Sequence, residues 1–134
     1  MPHRSVTDRP VPANLKQAAV DFLRMVVDGQ IAEAYRRYVD MQGTHHNAHF
    51  SAGFPALRQA MIDDHTKAPQ KRITFHNVLG DGQLVGVHSR LEIGEGSQSY
   101  AAVHIFRFRG DRIVEMWDLV QAVPLDTPNE DGMF

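Results

Sequence analysis

Three side chains in the second half of the chain have the chemistry that proton transfer requires. They are two histidines, His88 and His104, and one carboxylate, Asp118. A carboxylate in a pocket can take a proton from a substrate, and a nearby imidazole can tune the pKa of that carboxylate. On one face of a sheet the three would form the catalytic set of an acid–base enzyme. Separately, each would be an ordinary solvated or hydrogen-bonded strand residue.

A second group of chemically capable residues lies in the segment Thr44–His49, where histidine is unusually dense. His46 and Asn47 in this segment are candidates for holding a substrate or its developing oxyanion. The two strand histidines with Asp118 would even supply two imidazoles and one carboxylate to a metal ion. The spacing in the segment matches no established metal motif, so we predict neither a metal site nor a cofactor, with a metal-dependent site as a rival.

The absence of cysteine and the near-neutral charge exclude several other functions. With no cysteine among 134 residues, the chain has no disulfide, no thiolate nucleophile and no Cys-based zinc site. A net charge of −2 disfavours a nucleic-acid or anionic-membrane partner. No apolar stretch reaches the roughly 18 residues of a membrane span. Residues 1–11 lack the apolar run of a signal peptide, so we expect a cytoplasmic protein.

The first half of the chain predicts three helices that must position these groups. Residues 1–11 are polar and proline-bearing and are expected to form a loose arm. Apolar residues at helical spacing begin at Leu15, and Asp28-Gly29 ends that helix. A shorter helix follows from Ile31 to Tyr38. The third helix begins at Phe54-Pro55, where proline suits the first turn, and ends before Pro69.

The second half predicts four strands, because apolar and polar residues alternate between glycine-bearing turns. The strands are Arg72–Leu79, Leu84–Ile93, Ser99–Arg109 and Arg112–Val123, and short turns make them an antiparallel meander. The segment from Val39 to Gly53 has neither period and is expected to be a loop or a short edge strand. The 134 residues therefore predict a single α+β domain with helices packed on one sheet face.

Strand register decides which candidate residues meet. If the turn after the second strand is centred on Gly96, His88 lies directly opposite His104, with Cβ atoms about 4.5–5.5 Å apart. The last turn can hold two or three residues, and a one-residue slip exchanges the faces of the fourth strand. Local sequence therefore leaves open whether Asp118 or Trp117 joins the histidines.

Arg90 shares the alternation of His88 on the second strand. Together with Glu92 it is either an exposed charged pair or a clamp for a substrate, and we retain Arg90 as a candidate substrate-binding residue. Tyr35, Tyr38 and Met61 are expected in the core rather than around a ligand.

Several short pieces of the sequence, in this order, resemble one known family. They are His46-Asn47, Gly82 to Arg90, Ala102 to Arg107, Ile113 to Gln121 and the terminal Gly132-Met133-Phe134. The set resembles the SnoaL-like polyketide cyclases of the nuclear-transport-factor-2-like superfamily. This resemblance implies a cone-shaped curved antiparallel sheet wrapped by helices around an apolar pocket, commonly a homodimer, with Asp118 pointing into the pocket. Two positions depart from the pattern: His104 is usually Asp in these relatives, and Met116 is often His.

These observations favour a cofactor-free enzyme that moves a proton on a small hydrophobic or carbonyl compound, as an aldol-type cyclase or an isomerase does. Asp118 would be the base and His104 or His88 its partner, with His46 and Asn47 near the oxyanion. The rivals are a non-catalytic ligand-binding module and epoxide-hydrolase-like chemistry in the same pocket. Apolar residues on the sheet also predict a homodimer; they are Trp117, Leu119 and the alternate apolar set of the second strand.

Overall fold

The computed structural model describes residues 14–94, 96 and 98–134, so the predicted arm at 1–11 lies outside the described residues. Three helices and five strands make up the fold. In chain order they are α1 (Leu15–Val27), α2 (Ile31–Tyr38), β1 (Val39–His45), α3 (Phe54–Lys67), β2 (Arg72–Asp81), β3 (Leu84–Glu92), β4 (Ser99–Arg109) and β5 (Arg112–Ala122). The predicted helices and the predicted α+β class are confirmed.

The helices α1 and α2 form a tight hairpin at Gly29. This residue has φ +90°, a conformation that side chains with a Cβ rarely adopt. A Cβ there would also lie 2.4 Å from Nε2 of His65, because the imidazole of α3 packs directly over the glycine. Gly29 therefore both ends α1 and leaves room for α3 to approach the hairpin.

The five strands form one curved sheet in the order β1-β5-β4-β3-β2. The meander from β2 to β5 is antiparallel, as predicted. One edge of the sheet departs from this antiparallel pattern, because β1 runs parallel to β5. The segment left open as a loop or edge strand contains β1, which is separated from β5 in sequence by α3, β2, β3 and β4.

The helices cover one face of the sheet, which we call the inner face, and the core lies between them. Phe22 of α1 meets the ring of Tyr35 from α2 at 5.3 Å and that of Phe106 from β4 at 5.8 Å, both edge-on. On β3, Val85, Val87 and Ser89 point to the same side and are fully buried. We call the opposite side the outer face. In the described part of the chain, no helix is long and apolar enough to cross a membrane.

Candidate functional site

His104 and Asp118 lie side by side on the inner face. They are directly paired across β4 and β5, so the register left open by the last turn places Asp118, not Trp117, beside the histidine. Nδ1 of His104 and Oδ1 of Asp118 are both shielded from solvent, and neither has a hydrogen-bond partner among the described residues. Because a shielded polar atom without a partner costs free energy, such atoms are a common mark of a ligand site.

Asn47 holds the other oxygen of this carboxylate. Its Nδ2 donates to Oδ2 of Asp118 at 2.7 Å, across 71 positions of sequence. The amide orientation is set locally, since Oδ1 of Asn47 accepts the backbone N–H of His49 at 2.9 Å. The backbone N–H of Asn47 in turn donates to Nδ1 of His45 at 3.1 Å. The predicted candidate Asn47 is thus at the site, where it positions the carboxylate.

Two opposing influences act on the imidazole of His104. Burial lowers its pKa below the ordinary value of 6.5, and the negative charge of Asp118 partly opposes that effect. Burial dominates, so the imidazole is neutral at physiological pH. A neutral imidazole has one nitrogen free to accept a proton.

A cavity of about 90 Å³ lies between α1, α3 and the strands β2, β3 and β4, and no residue of β5 lines it. Its wall is mostly apolar, formed by Leu23, Val26, Val27, Met61, Ile73 and Leu91. Three polar residues complete it: His65, Lys71 and His104. Asp118 does not line the cavity, so a ligand in it would touch the imidazole and not the carboxylate.

Two polar residues near the pair, Ser89 and Tyr35, were not predicted as site residues from the sequence. Ser89 on the inner face of β3 is fully buried, and its hydroxyl has no partner among the described residues. A lone hydroxyl in the apolar alternation of Val85 and Val87 was the signal that could have identified it. Tyr35 was correctly assigned to the core, but burial and then the charge of Asp118 raise the pKa of its phenol. Its hydroxyl is therefore a neutral donor near the carboxylate.

The structure corrects the predicted place of His88. Val87, not His88, is opposite His104, and His88 is paired with Val103. The turn centre lies half a residue earlier than predicted, which moves His88 to the outer face. There its ring stacks on Phe134 with centroids 5.7 Å apart.

Arg90 is also on the outer face and not at the inner-face pair. Its guanidinium carbon lies 5.2 Å from the centre of the Phe134 ring, and one of its amines donates to Oγ of Ser99 at 3.3 Å. Its predicted companion Glu92 pairs with Arg72 instead. Arg90 therefore does not line the cavity, and its assignment as a substrate-binding residue stays a prediction.

His46 likewise points away from the pair, although it precedes Asn47. Its ring stacks on Trp117 of the outer face with centroids 5.1 Å apart. Its Nε2 lies 2.8 Å from Oε2 of Glu115, and this contact, together with the guanidinium of Arg107, lowers the pKa of the Glu115 carboxyl. His46 therefore anchors the segment that carries Asn47.

The rival metal site has no geometric support. His88 and His104 are on opposite faces of the sheet, so they cannot share one ion with Asp118. Within residues 14–94, 96 and 98–134, no three His, Asp or Glu side chains are grouped closely enough to hold a metal.

Solved structures with the same fold span several activities. The chain is 15% identical to an NTF-2 like protein of unknown function from Burkholderia xenovorans, with a TM-score of 0.70 over 89% of this chain and 91% of that one. A SnoaL-like polyketide cyclase from Agrobacterium tumefaciens is 14% identical, with a TM-score of 0.66 over 80% and 91%. An LEH-like epoxide hydrolase from M. tuberculosis is 16% identical, with a TM-score of 0.65 over 82% and 80%.

At these identities the structural similarity shows the fold alone, and no curated protein matches the chain in sequence. The sequence match to a family is more informative. Residues 32–116 match the SnoaL-like domain, a range that includes Asn47 and His104 and ends two residues before Asp118. The chain therefore belongs to the SnoaL-like domain family and has the nuclear-transport-factor-2-like fold.

Proposed function

We propose that this protein moves a proton at a carbon atom next to a carbonyl group of a small substrate, without a cofactor. One observation carries the proposal: Nδ1 of His104 and Oδ1 of Asp118 are shielded and have no hydrogen-bond partner among the described residues, and His104 lines a cavity. A neutral imidazole in such a place can accept a proton from carbon, and the adjacent carboxylate stabilises the imidazolium that forms.

The roles of the two residues differ from the expectation that Asp118 is itself the base. His104 lines the cavity and Asp118 does not, so His104 contacts the substrate in this proposal. Asp118 acts through the imidazole as a positioning residue, and Asn47 fixes one of its oxygens. The step leaves a negative charge on the carbonyl oxygen, close to the imidazolium that forms on His104.

The test is exchange of carbon-bound hydrogen with deuterated water, followed by proton NMR on a panel of small ketones and oxo acids. Asp118→Asn should slow exchange by about 10²–10⁴-fold, the usual contribution of an acid–base pair, and His104→Gln should do the same. Asp111→Asn in the exposed last turn is the matched control and should leave the rate unchanged.

Urea unfolding must accompany the assay. Loss of exchange with retained stability supports the assignment, whereas full exchange in either site variant refutes it. If the protein binds panel compounds but exchanges none of them, the ligand-binding module takes the place of the enzyme.

We also propose that the outer face forms a homodimer. Trp117 and Leu119 are on that face, and Leu119 is 64% exposed. The alternate apolar residues of β3, which were also expected to form this interface, face the core instead and contribute nothing to it.

A cytoplasmic location stays a prediction that cell fractionation would check.

A further inference from the structure

Lys71 is the only cation that lines the cavity in the part of the chain that the structure describes. It lies between α3 and β2, and only 16% of its side chain is exposed. Its Nζ donates to Oδ2 of Asp64, whose own side chain is 46% exposed. An ammonium group has three N–H donors, and Asp64 takes one of them. Lys71 therefore has donors left for a ligand.

Lys71 also stands at the boundary of a second, wider space. A depression of about 310 Å³ shares Val27, Lys71 and Ile73 with the cavity. Three cations and two carboxylates line it: Arg24, Lys71, Arg72, Asp28 and Glu92. Apart from Lys71, the charges that line this depression balance, so the ammonium group is the net positive charge that an approaching anion meets.

The size of the cavity limits what can enter. About 90 Å³ corresponds to roughly three water molecules, and an apolar cavity of about 150 Å³ is known to hold one benzene ring. In proportion, the cavity itself holds about three or four non-hydrogen atoms. A short oxo acid therefore fits when its carboxylate lies at Lys71, on the boundary with the wider depression, and a polycyclic compound does not. The largely shielded ammonium group of Lys71 and the neutral imidazole of His104 line the same cavity, so together they favour a small molecule with two polar groups.

We propose that the substrate is a short oxo acid, with its carboxylate on Lys71 and its carbonyl-bearing end at His104. This inference rests on the proposed proton transfer for the position of the carbonyl. The anion site itself stands on Lys71, on its place in the cavity wall and on the size limit. Burial lowers the pKa of Lys71, which gives a bound carboxylate the further effect of stabilising the charged amine.

The experiment compares two probes of equal size and shape, pyruvate and its neutral amide, pyruvamide. Binding to the full chain is measured by calorimetry, and methyl hydrogen exchange in deuterated water is measured by NMR. The variants are Lys71→Gln, which removes the charge, and Asp64→Asn, which keeps the cation and removes its partner. Lys67→Gln, at the exposed end of α3, is the matched control.

We expect Lys71→Gln to weaken pyruvate binding by about ten- to a hundredfold, the effect of losing one charge-assisted hydrogen bond, and to change pyruvamide binding by less than about twofold. Asp64→Asn should bind pyruvate as tightly as the natural chain or more tightly, because the ammonium group loses a competitor. Lys67→Gln should change neither affinity.

Equal affinity of the natural chain for the two probes overturns the proposal. So does an equal loss of pyruvate binding in Lys71→Gln and Asp64→Asn, because that pattern indicates a purely structural ion pair. If Lys71→Gln does not fold, Asp64→Asn decides, since a weakened pyruvate affinity in that variant refutes the anion site.

The outcomes separate this inference from the proposed function. Lys71-dependent binding of pyruvate without hydrogen exchange retains the anion site and refutes the proton transfer. If pyruvamide instead exchanges hydrogen at the same rate as pyruvate, with no dependence on Lys71, that result supports the proton transfer and refutes the preference for an oxo acid.

Discussion

Replacement of His104 by glutamine should remove a specific loss of stability in mild acid. In the folded chain, burial holds the pKa of His104 below 6.5, while in the unfolded chain it returns to that ordinary value. Between these two values the unfolded chain binds a proton that the folded chain does not. The free energy of unfolding therefore falls as the pH drops through 6.5 toward the folded-state pKa, and it is fully recovered above 6.5.

The magnitude follows from one proton. Linkage gives a slope of at most about 1.4 kcal/mol per pH unit, so the loss between pH 7.5 and pH 5.5 reaches about 1.4 kcal/mol when the folded-state pKa lies well below 5.5. The His104→Gln variant lacks this titration. The difference in unfolding free energy between the natural chain and the variant should therefore shift by at most about 1.4 kcal/mol over that range, in favour of the variant at low pH.

Urea unfolding at pH 5.5, 6.5 and 7.5 measures this difference, and a constant slope against urea would show that the same transition is observed throughout. His49→Gln is the control, because His49 is exposed in the segment after β1. If the difference in unfolding free energy between His104→Gln and the natural chain does not change with pH, the assignment of a buried, neutral imidazole is refuted. A difference of opposite sign would mean that the folded protein holds His104 protonated against Asp118.

Three further changes test the surroundings of the site. Asn47→Ala removes the donor to Oδ2 of Asp118 and should lower the free energy of unfolding by about 1–3 kcal/mol in urea titrations, with an unchanged value contradicting the contact. Gly29→Ala requires a strained φ and a collision with His65, so a loss of about 1–3 kcal/mol is expected by the same titration, and wild-type stability would disprove that packing. Leu119→Glu should convert a dimer of the natural chain to a monomer in sedimentation velocity at micromolar concentration; a natural chain that is already monomeric would end the dimer proposal.

The helices and strands that a local sequence pattern defines were predictable from the sequence, but the pairing of the edge strand β1 with β5 was not. Each strand of the meander follows its predecessor through a short turn, so alternation and glycine positions indicate both the strands and their order. The pairing of β1 with β5 joins Thr44 to Glu115, 71 positions later, and no local pattern encodes it. The contact of Asn47 with Asp118 depends on that same pairing, which explains why Asn47 could be nominated but its role could not.

The misplacement of His88 has a different cause. The period of a strand is two, so a turn that is centred half a residue away reverses the relative facing of all residues on one strand. Gly96 indicates a turn but does not determine its centre. The register that pairs Val87 with His104 is set instead by the burial of Val85 and Val87 against the helices. The buried valines were the better guide, because burying them is worth more than any turn preference.

The pairing of histidine with Asp118 also accounts for the main departure from the relatives that the chain resembles, which usually carry aspartate at position 104. Two adjacent buried carboxylates repel and must share one proton, so such a pair has a single negative charge. A neutral His104 beside a charged Asp118 has the same net charge, and accepting one proton brings either pair to zero. The substitution therefore changes which atom receives the proton while it preserves the charge step that a buried site can tolerate. Met116, where relatives often have histidine, is buried and cannot titrate, so the charge balance of this site rests on His104 and Asp118 together.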